Sequence, residues 1–344
     1  MPGREESVFG RPEWPVRSDP ENTFPGAGGS VPPAPTRTRR VKRMAPKHTL
    51  PGLPDRGRCL VMGVVNVTPD SFSDGGSWFD PERAIEHGLR LVEEGADVID
   101  VGGESTRPGA QRVGAAEELR RVEPVVRELA SRGIAVSVDT MRAEVAERAV
   151  EAGAVLVNDV SGGLADPEMA RLVASSGVAY VLMHWRGHSH DMQSRAVYTD
   201  VVQEVLDELR DRMEAMISAG VDPGQIVLDP GLGFSKRPEQ AHNWALLQHL
   251  ERFHELGRPV LVAGSRKRFL SRLLGDAKGE DRPFVDCDAA TAAVTTLSAD
   301  RGAWAVRVHD VRPNADAVRV AAAWSDGGRG LDEGRSEPLD RGGL

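Results

Sequence analysis

A set of polar side chains stands where short apolar runs give way to loops: Asn66, Thr106, Arg107, Asp139, Asn158, Asp229, Lys267, Arg307 and His309. The serines near them lack the strand–turn–helix setting of a nucleophile elbow, and the carboxylates lack a spacing that would gather them on a metal. The set divides instead by what each half offers. Asp139, Asn158 and Asp229 supply acceptors and an amide deep on adjoining strands. Asn66, Arg107, Arg307 and His309 supply donors and cations suited to phosphate oxygens. Arg307 and His309, two apart on one strand, share a face.

A repeating strand–loop–helix unit must position these groups. Its first copy is VMGVVNVTPDSFSDGG, Val61 to Gly76. The run from Leu60 to Val65 has the β-branched content of a strand buried on both faces, and it breaks at Asn66 into a polar loop. Seven more apolar runs follow, at 98–101, 135–138, 155–157, 179–183, 226–228, 259–262 and 305–308. Helices are expected between them at 81–94, 115–132, 142–152, from Asp166-Pro167 onward, 200–219, 238–256, in two pieces at 269–274 and 289–301, and at 314–324. Asp80 before Pro81 reads as a helix cap followed by proline at the first position. The alternation predicts an α/β protein, a (β/α)8 TIM barrel, with the chemistry at the C-terminal ends of the strands. An open doubly wound sheet is disfavoured, because no dinucleotide glycine fingerprint follows the first strand.

The barrel is expected over residues 58–325, close to the ~250 residues typical of this fold. Residues 1–57, rich in Pro, Gly, Arg and Glu, are expected to be a disordered extension, and 326–344 a disordered low-complexity tail. The basic run Arg37, Arg39, Arg40, Lys42 and Arg43 reads as a solvated linker, and Met44 is an alternative start of translation. A net charge of −9 argues against nucleic acid or anionic membrane as partner. No apolar run approaches the ~18 residues of a membrane span, and no apolar signal segment opens the chain; a cytoplasmic protein is expected. Cys59 and Cys287 suggest neither a disulfide framework nor a zinc site. His184, His188 and His190 read as a surface loop rather than a metal site. GLGFSK, Gly231 to Lys236, lacks the Lys-Ser/Thr pair of a phosphate loop and reads as the glycine turn after the sixth strand.

The blocks VNVTPDSFSDGG around Asn66, GGESTRPGA (Gly102 to Ala110), SVDT (Ser137 to Thr140), VND (Val157 to Asp159), LDPGLGF (Leu228 to Phe234), SRK (Ser265 to Lys267) and RVHDV (Arg307 to Val311) resemble the dihydropteroate synthases. They follow that family's order across the whole expected barrel, which is far more specific than one short motif. The resemblance implies condensation of (7,8-dihydropterin-6-yl)methyl diphosphate with 4-aminobenzoate, giving 7,8-dihydropteroate and diphosphate in folate biosynthesis, and a target of sulfonamides. It implies that Asp229 takes the pterin's N3–H and exocyclic amine, with Asn158 and Asp139 completing the polar perimeter. Lys267 would bond the opposite edge and wall the aminobenzoate pocket with its stem, while Met183 and Phe234 pack on the ring faces. Thr106, Arg107 and Pro108 would lie near the aminobenzoate, with Ser265 and the helix after it facing its carboxylate. Arg268 stands where many relatives carry Ser, so the aminobenzoate contact there is expected to use the backbone or a different geometry.

Arg307 and His309 would hold the diphosphate, and Asn66 would help bind Mg²⁺ with it. The loops Thr68 to Ser77 and Ser105 to Gly114 would close over the site, and barrel helices would form a homodimer. Two other readings stand beside this one: a pterin-binding protein without catalysis, and a barrel that passes a methyl group from a pterin to a corrinoid.

Overall fold

β-Branched runs alternate with amphipathic helices, and in the computed structural model that alternation closes on itself. The structure describes residues 49–68, 80–104, 113–187, 195–237 and 241–328. Its strands are β1 (Leu60–Asn66), β2 (Val98–Gly102), β3 (Val136–Asp139), β4 (Leu156–Asp159), β5 (Ala179–Met183), β6 (Ile226–Asp229), β7 (Leu261–Val262) and β8 (Ala305–Val308). All pairings are parallel, in the order β6-β5-β4-β3-β2-β1-β8-β7. A bridge between Leu228 and Val260, with Leu228 N–H donating to the Pro259 carbonyl at 2.9 Å, brings the two ends of the sheet together.

Side chains alternate along each strand, so the sheet makes two cores. Leu60, Met62, Val98, Leu156, Val181 and Val227 fill the barrel, joined by Leu50, Leu53 and Trp304. Val61, Ile99, Val138, Val157, Leu182 and Val306 face outward and pack beneath the helices. Followed toward the C-terminal ends, the inward phase turns polar: Asp100 after Val98, Asn158 after Leu156, Asp229 after Val227 and Arg307 after Ala305. The period that builds the apolar core therefore also aims the chemistry into the barrel mouth.

The helices are α1 (Pro81–Glu93), α2 (Ala115–Ser131), α3 (Ala143–Glu151), α4 (Met169–Ser176), α5 (Val201–Ser218), α6 (His242–Gln248), α7 (Leu250–Phe253), α8 (Arg268–Leu273), α9 (Asp288–Asp300) and α10 (Val311–Asp326). Asp80 caps α1 as expected, accepting from the N–H groups of Glu82 at 3.0 Å and Arg83 at 3.3 Å. Three expectations about the helices need correction. α4 begins at Met169 and not at Asp166-Pro167, because that pair forms a turn. Asp166 instead accepts the Glu168 N–H at 3.0 Å and reaches across to the first N–H of α3, at Ala143, at 2.8 Å.

The single helix expected over 238–256 is broken. His249, at φ −109° and ψ 29°, separates α6 from α7, and a 3₁₀ turn follows at His254–Leu256. α10 starts at Val311, with Pro313 in its first turn, where a missing N–H removes no helical bond.

Leu50 and Leu53, expected in the disordered extension, pack into the inner core, while most of the other residues of 49–57 are exposed. The rest of that extension and most of the expected tail lie outside the described residues. Both cysteines are buried free thiols. No helix among the described residues is long and apolar enough to cross a membrane.

Candidate active site

At the floor of the mouth, three strands deliver one charged cluster. Arg307 donates from Nε to Asp100 Oδ2 at 2.6 Å and from Nη2 to Asp139 Oδ2 at 2.7 Å. Asn158 Nδ2 donates to the same Asp100 oxygen at 3.0 Å. The second Asp100 oxygen is buried with no hydrogen-bond partner among the described residues. Burial pushes the Asp139 carboxyl up to about 7; Arg307 pulls it back, and the neighbouring Asp100 adds to the rise. Burial also disfavours the charge of Arg307, but Asp100 and Asp139 outweigh it and hold the guanidinium protonated. Arg307, expected with the phosphate-facing cations, is thus tied into the acid half of the site. Gly102 sits beside this cluster in register with both Asn66 and Asp139, and a Cβ there would come within 3.4 Å of Asp139 Cβ.

Next around the rim is the loop after β6. Asp229 is buried and accepts the Gly231 N–H at 2.7 Å. Burial raises its carboxyl, opposed by Lys267 and by the Gly231 N–H. Lys267 donates to the Leu232 carbonyl, and its Nζ lies 4.9 Å from the centre of the Phe234 ring. Burial pushes the Lys267 ammonium down to about 8, with Asp229 opposing. Gly233, at φ +80°, lets the lysine stem pass: a Cβ there would sit 3.0 Å from Lys267 Cδ. Met183 pairs in register with Asp229 and shares its inward phase, so it belongs to the same wall.

Ser265 and His309 meet across the neighbouring strands. Ser265 Oγ lies 3.1 Å from His309 Nδ1 and accepts the His309 backbone N–H at 3.2 Å. Arg268 opens α8, but its guanidinium donates to Asp281 at 2.9 Å and its side chain is largely exposed. It is engaged away from the pocket floor. Asn66 ends β1, half-buried, and no hydrogen bond holds its amide among the described residues. Thr106, Arg107 and Pro108, and most of both expected lid loops, lie outside the described residues. The ends of the 105–112 segment meet at Arg142, which donates to Glu104 at 2.9 Å and to the Val113 carbonyl at 2.7 Å.

Two participants escaped the sequence reading. Asp100 sits inside an apolar strand, VIDVG, on the inward phase. A buried carboxylate requires a cation, and Arg307 in the equally apolar AVRV was the available signal. His184, expected in a surface loop, is buried, with Nε2 at 2.9 Å from Glu208 and Nδ1 at 2.8 Å from the Nζ of a buried Lys236. His188 and His190 lie outside the described residues.

Taken together, Asp100, Asp139 and Asp229 against Arg307 and Lys267 leave the mouth with a surplus of acid, suited to a flat ligand rich in N–H donors. The acids, amide and cations of this cluster suit binding, orientation and charge stabilisation.

Residues 62–309 match a family model described as pterin binding enzyme. The chain is 53% identical over 278 residues to a dihydropteroate synthase of Mycobacterium leprae, covering 80% of this chain and 97% of the relative. It is 42% identical to that of Bacillus subtilis, covering 80% and 92%. Among solved structures, a Xanthomonas albilineans dihydropteroate synthase with 4-aminobenzoic acid superposes with a TM-score of 0.71 at 46% identity, covering 78% of this chain and 93% of that one. A Yersinia pestis dihydropteroate synthase in a sulfonamide complex gives 0.74 at 38% identity, covering 81% and 100%.

Proposed function

The chain belongs to the dihydropteroate synthase family of pterin-binding enzymes, and from that premise we propose how its residues perform the reaction. It joins 4-aminobenzoate to (7,8-dihydropterin-6-yl)methyl diphosphate, forming 7,8-dihydropteroate and releasing diphosphate, a step of folate biosynthesis. The convergence of Asp229, Asn158 and Asp139 on the inward strand faces, with Lys267 reaching the loop after β6, carries this reading.

Asp229 accepts the pterin's N3–H and exocyclic amine side by side. Its buried charge, unfavourable when solvent is excluded, becomes satisfied by those two donors. Asn158 and Asp139 complete the polar edge, while Lys267 donates to the opposite edge and Met183 and Phe234 cover the ring faces. As the C–O bond to diphosphate breaks, the electron-rich pterin spreads the positive charge on its exocyclic methylene. The amine of 4-aminobenzoate then forms the C–N bond and loses a proton. Arg307 has donors left beyond those given to Asp100 and Asp139, and with His309 and Arg107 it stabilises the departing phosphate oxygens. Thr106 and Pro108 line the aminobenzoate side with Ser265 and the backbone at Arg268, and sulfonamides compete there.

Asn66 would hold Mg²⁺ through its neutral amide oxygen, together with the diphosphate. The fit rests on its donor set: a half-exposed carbonyl oxygen at the strand end, with no cluster of three His, Cys, Asp or Glu among the described residues to form a protein cage. An ion held there would supply positive charge against the leaving diphosphate.

We also assign catalysis to the barrel, 58–325 together with the packed Leu50 and Leu53, and place it in the cytoplasm, where its two buried free thiols stay reduced. A homodimer is supported by the exposed apolar side chains of α9 and α10.

The test is an assay of the purified chain with dihydropterin diphosphate, 4-aminobenzoate and Mg²⁺. Dihydropteroate that appears only when both substrates are present supports the reading. Pterin binding without product, or methyl transfer in its place, overturns it.

A further inference from the structure

Lys236 is only 1% exposed, carries a charge-capable amine, and has no role in the mechanism above. Its Nζ donates to the Pro230 carbonyl at 2.8 Å and lies 2.8 Å from His184 Nδ1. The other ring nitrogen of His184 meets Glu208 at 2.9 Å, and Arg186 also grips Glu208. The tautomer follows from these partners. Glu208 is held well into its ionised range, down to about 2, by His184 and Arg186 against its burial. It therefore accepts from Nε2–H, which leaves the Nδ1 lone pair to accept from Lys236.

This chain of bonds ends on the loop that carries the pterin acid. His184 N–H donates to the Asp229 carbonyl at 2.9 Å, Lys236 holds the next carbonyl, that of Pro230, and Gly231 N–H holds the Asp229 side chain at 2.7 Å. Gly231 has φ +71°, and a Cβ there would lie 2.5 Å from the His184 carbonyl, so the two segments approach as closely as backbones can. Lys267 takes the Leu232 carbonyl from the other side. Among the described residues the two non-glycines with left-handed backbone are Ser235 (φ 49°) and Arg266 (φ 52°), each immediately before one of these lysines. Strain of this kind persists only where surrounding bonds fix it. Tyr198 supplies one, donating to the Ser235 carbonyl at 2.9 Å, with Arg186 stacked 4.0 Å over its ring.

We propose that Lys236 is a positioning residue for the reaction: anchored through His184 on Glu208, it fixes the Pro230 carbonyl and so aims the Asp229 carboxylate at the pterin. The inference rests on the assignment of Asp229 to the pterin. A shift of this loop by a fraction of an ångström would loosen a bidentate contact without touching the aminobenzoate subsite.

The test compares the wild-type chain with Lys236→Ala and Glu208→Gln, reading thermal midpoint, Kd for the pterin diphosphate by calorimetry, and KM for 4-aminobenzoate. Wild-type turnover is measured first, and its absence would sink the functional reading itself rather than this inference. With turnover established, folded Lys236→Ala should bind the pterin at least tenfold more weakly, with KM for aminobenzoate unchanged. Added propylamine, which replaces the missing stem and amine, should restore part of the affinity, and propanol should not.

An unchanged pterin Kd in folded Lys236→Ala overturns the proposal, as does a loss that affects both substrates equally. Should Lys236→Ala fail to fold, Glu208→Gln decides. Its site is partly exposed, a threefold or greater loss of pterin affinity is expected, and an unchanged Kd overturns the proposal.

Discussion

Arg307 lies between two carboxylates, which makes its removal costly in a way that depends on pH. Asp100 and Asp139 accept from it at 2.6 and 2.7 Å, and among the described residues no other cation bonds Asp100. Arg307→Met would leave two buried acids uncompensated, with an expected loss of about 3–5 kcal/mol in denaturant unfolding near neutral pH. Near pH 5 the loss should shrink, because burial pushes the Asp139 carboxyl up to about 7 and it then carries a proton in the fold. Adding Asp100→Asn should recover part of it; an additive double variant would show that the pair is not coupled. Lys267 gives a second pH signature. Its ammonium is pushed down to about 8, so kcat/KM for the pterin diphosphate should fall as one proton is lost above that pH, and Lys267→Arg should move this limb out of range. The linkage has the opposite sense for stability. Between about 8 and the unfolded value near 10.4 the unfolded chain binds more protons, so this group's contribution to stability rises with pH. The places of Asp139, Asn158 and Asp229 at the barrel mouth were legible in the sequence because each stands at the polar end of an apolar run. Asp100 and Lys236 were not, since their partners lie on other strands and loops and only the closed barrel brings them together.

Elements were legible where one period governs a whole segment and illegible where a neighbour overrides it. The eight strands followed from their apolar runs, and the inward phase of each placed the site. The Asp166-Pro167 pair carried the local signal of a helix start, yet the carboxylate serves two masters: its own turn at Glu168 and the open N-terminus of α3 at Ala143. Arg142, the residue at the cap position of α3, supplies no side-chain bond there. Asp166→Ala should therefore destabilise the protein by about 1 kcal/mol through a helix that is remote from it in sequence. Equilibrium unfolding checks the magnitude, and unchanged kcat with unchanged KM for both substrates checks that the effect stays with the element. The break at His249 was invisible for a similar reason: HNWALLQHLERF is apolar at helical spacing on both sides of it, and no glycine or proline marks the interruption.

Seen over the whole molecule, the outer helices differ from one side of the barrel to the other. α2, α3 and α4 carry exposed ion pairs within a turn or between neighbours, such as Arg127–Glu123, Arg148–Glu151 and Arg171–Glu168. α9 and α10 pack on each other, carry the exposed pair Arg319–Asp316, and also expose Leu297 (63%), Val320 (59%) and Trp324 (82%). On a chain with net charge −9, large apolar side chains gathered on one pair of helices argue for a second copy seated there rather than for open solvent. A twofold contact would present the same residues from both partners and bury them against each other. Sedimentation velocity at micromolar concentration should find twice the monomer mass. The double variant Leu297→Glu, Val320→Glu should sediment as a monomer while keeping the circular dichroism of the folded barrel, because both side chains lie outside its cores. A wild-type monomer, or a variant that stays dimeric, would remove this face from consideration as the interface.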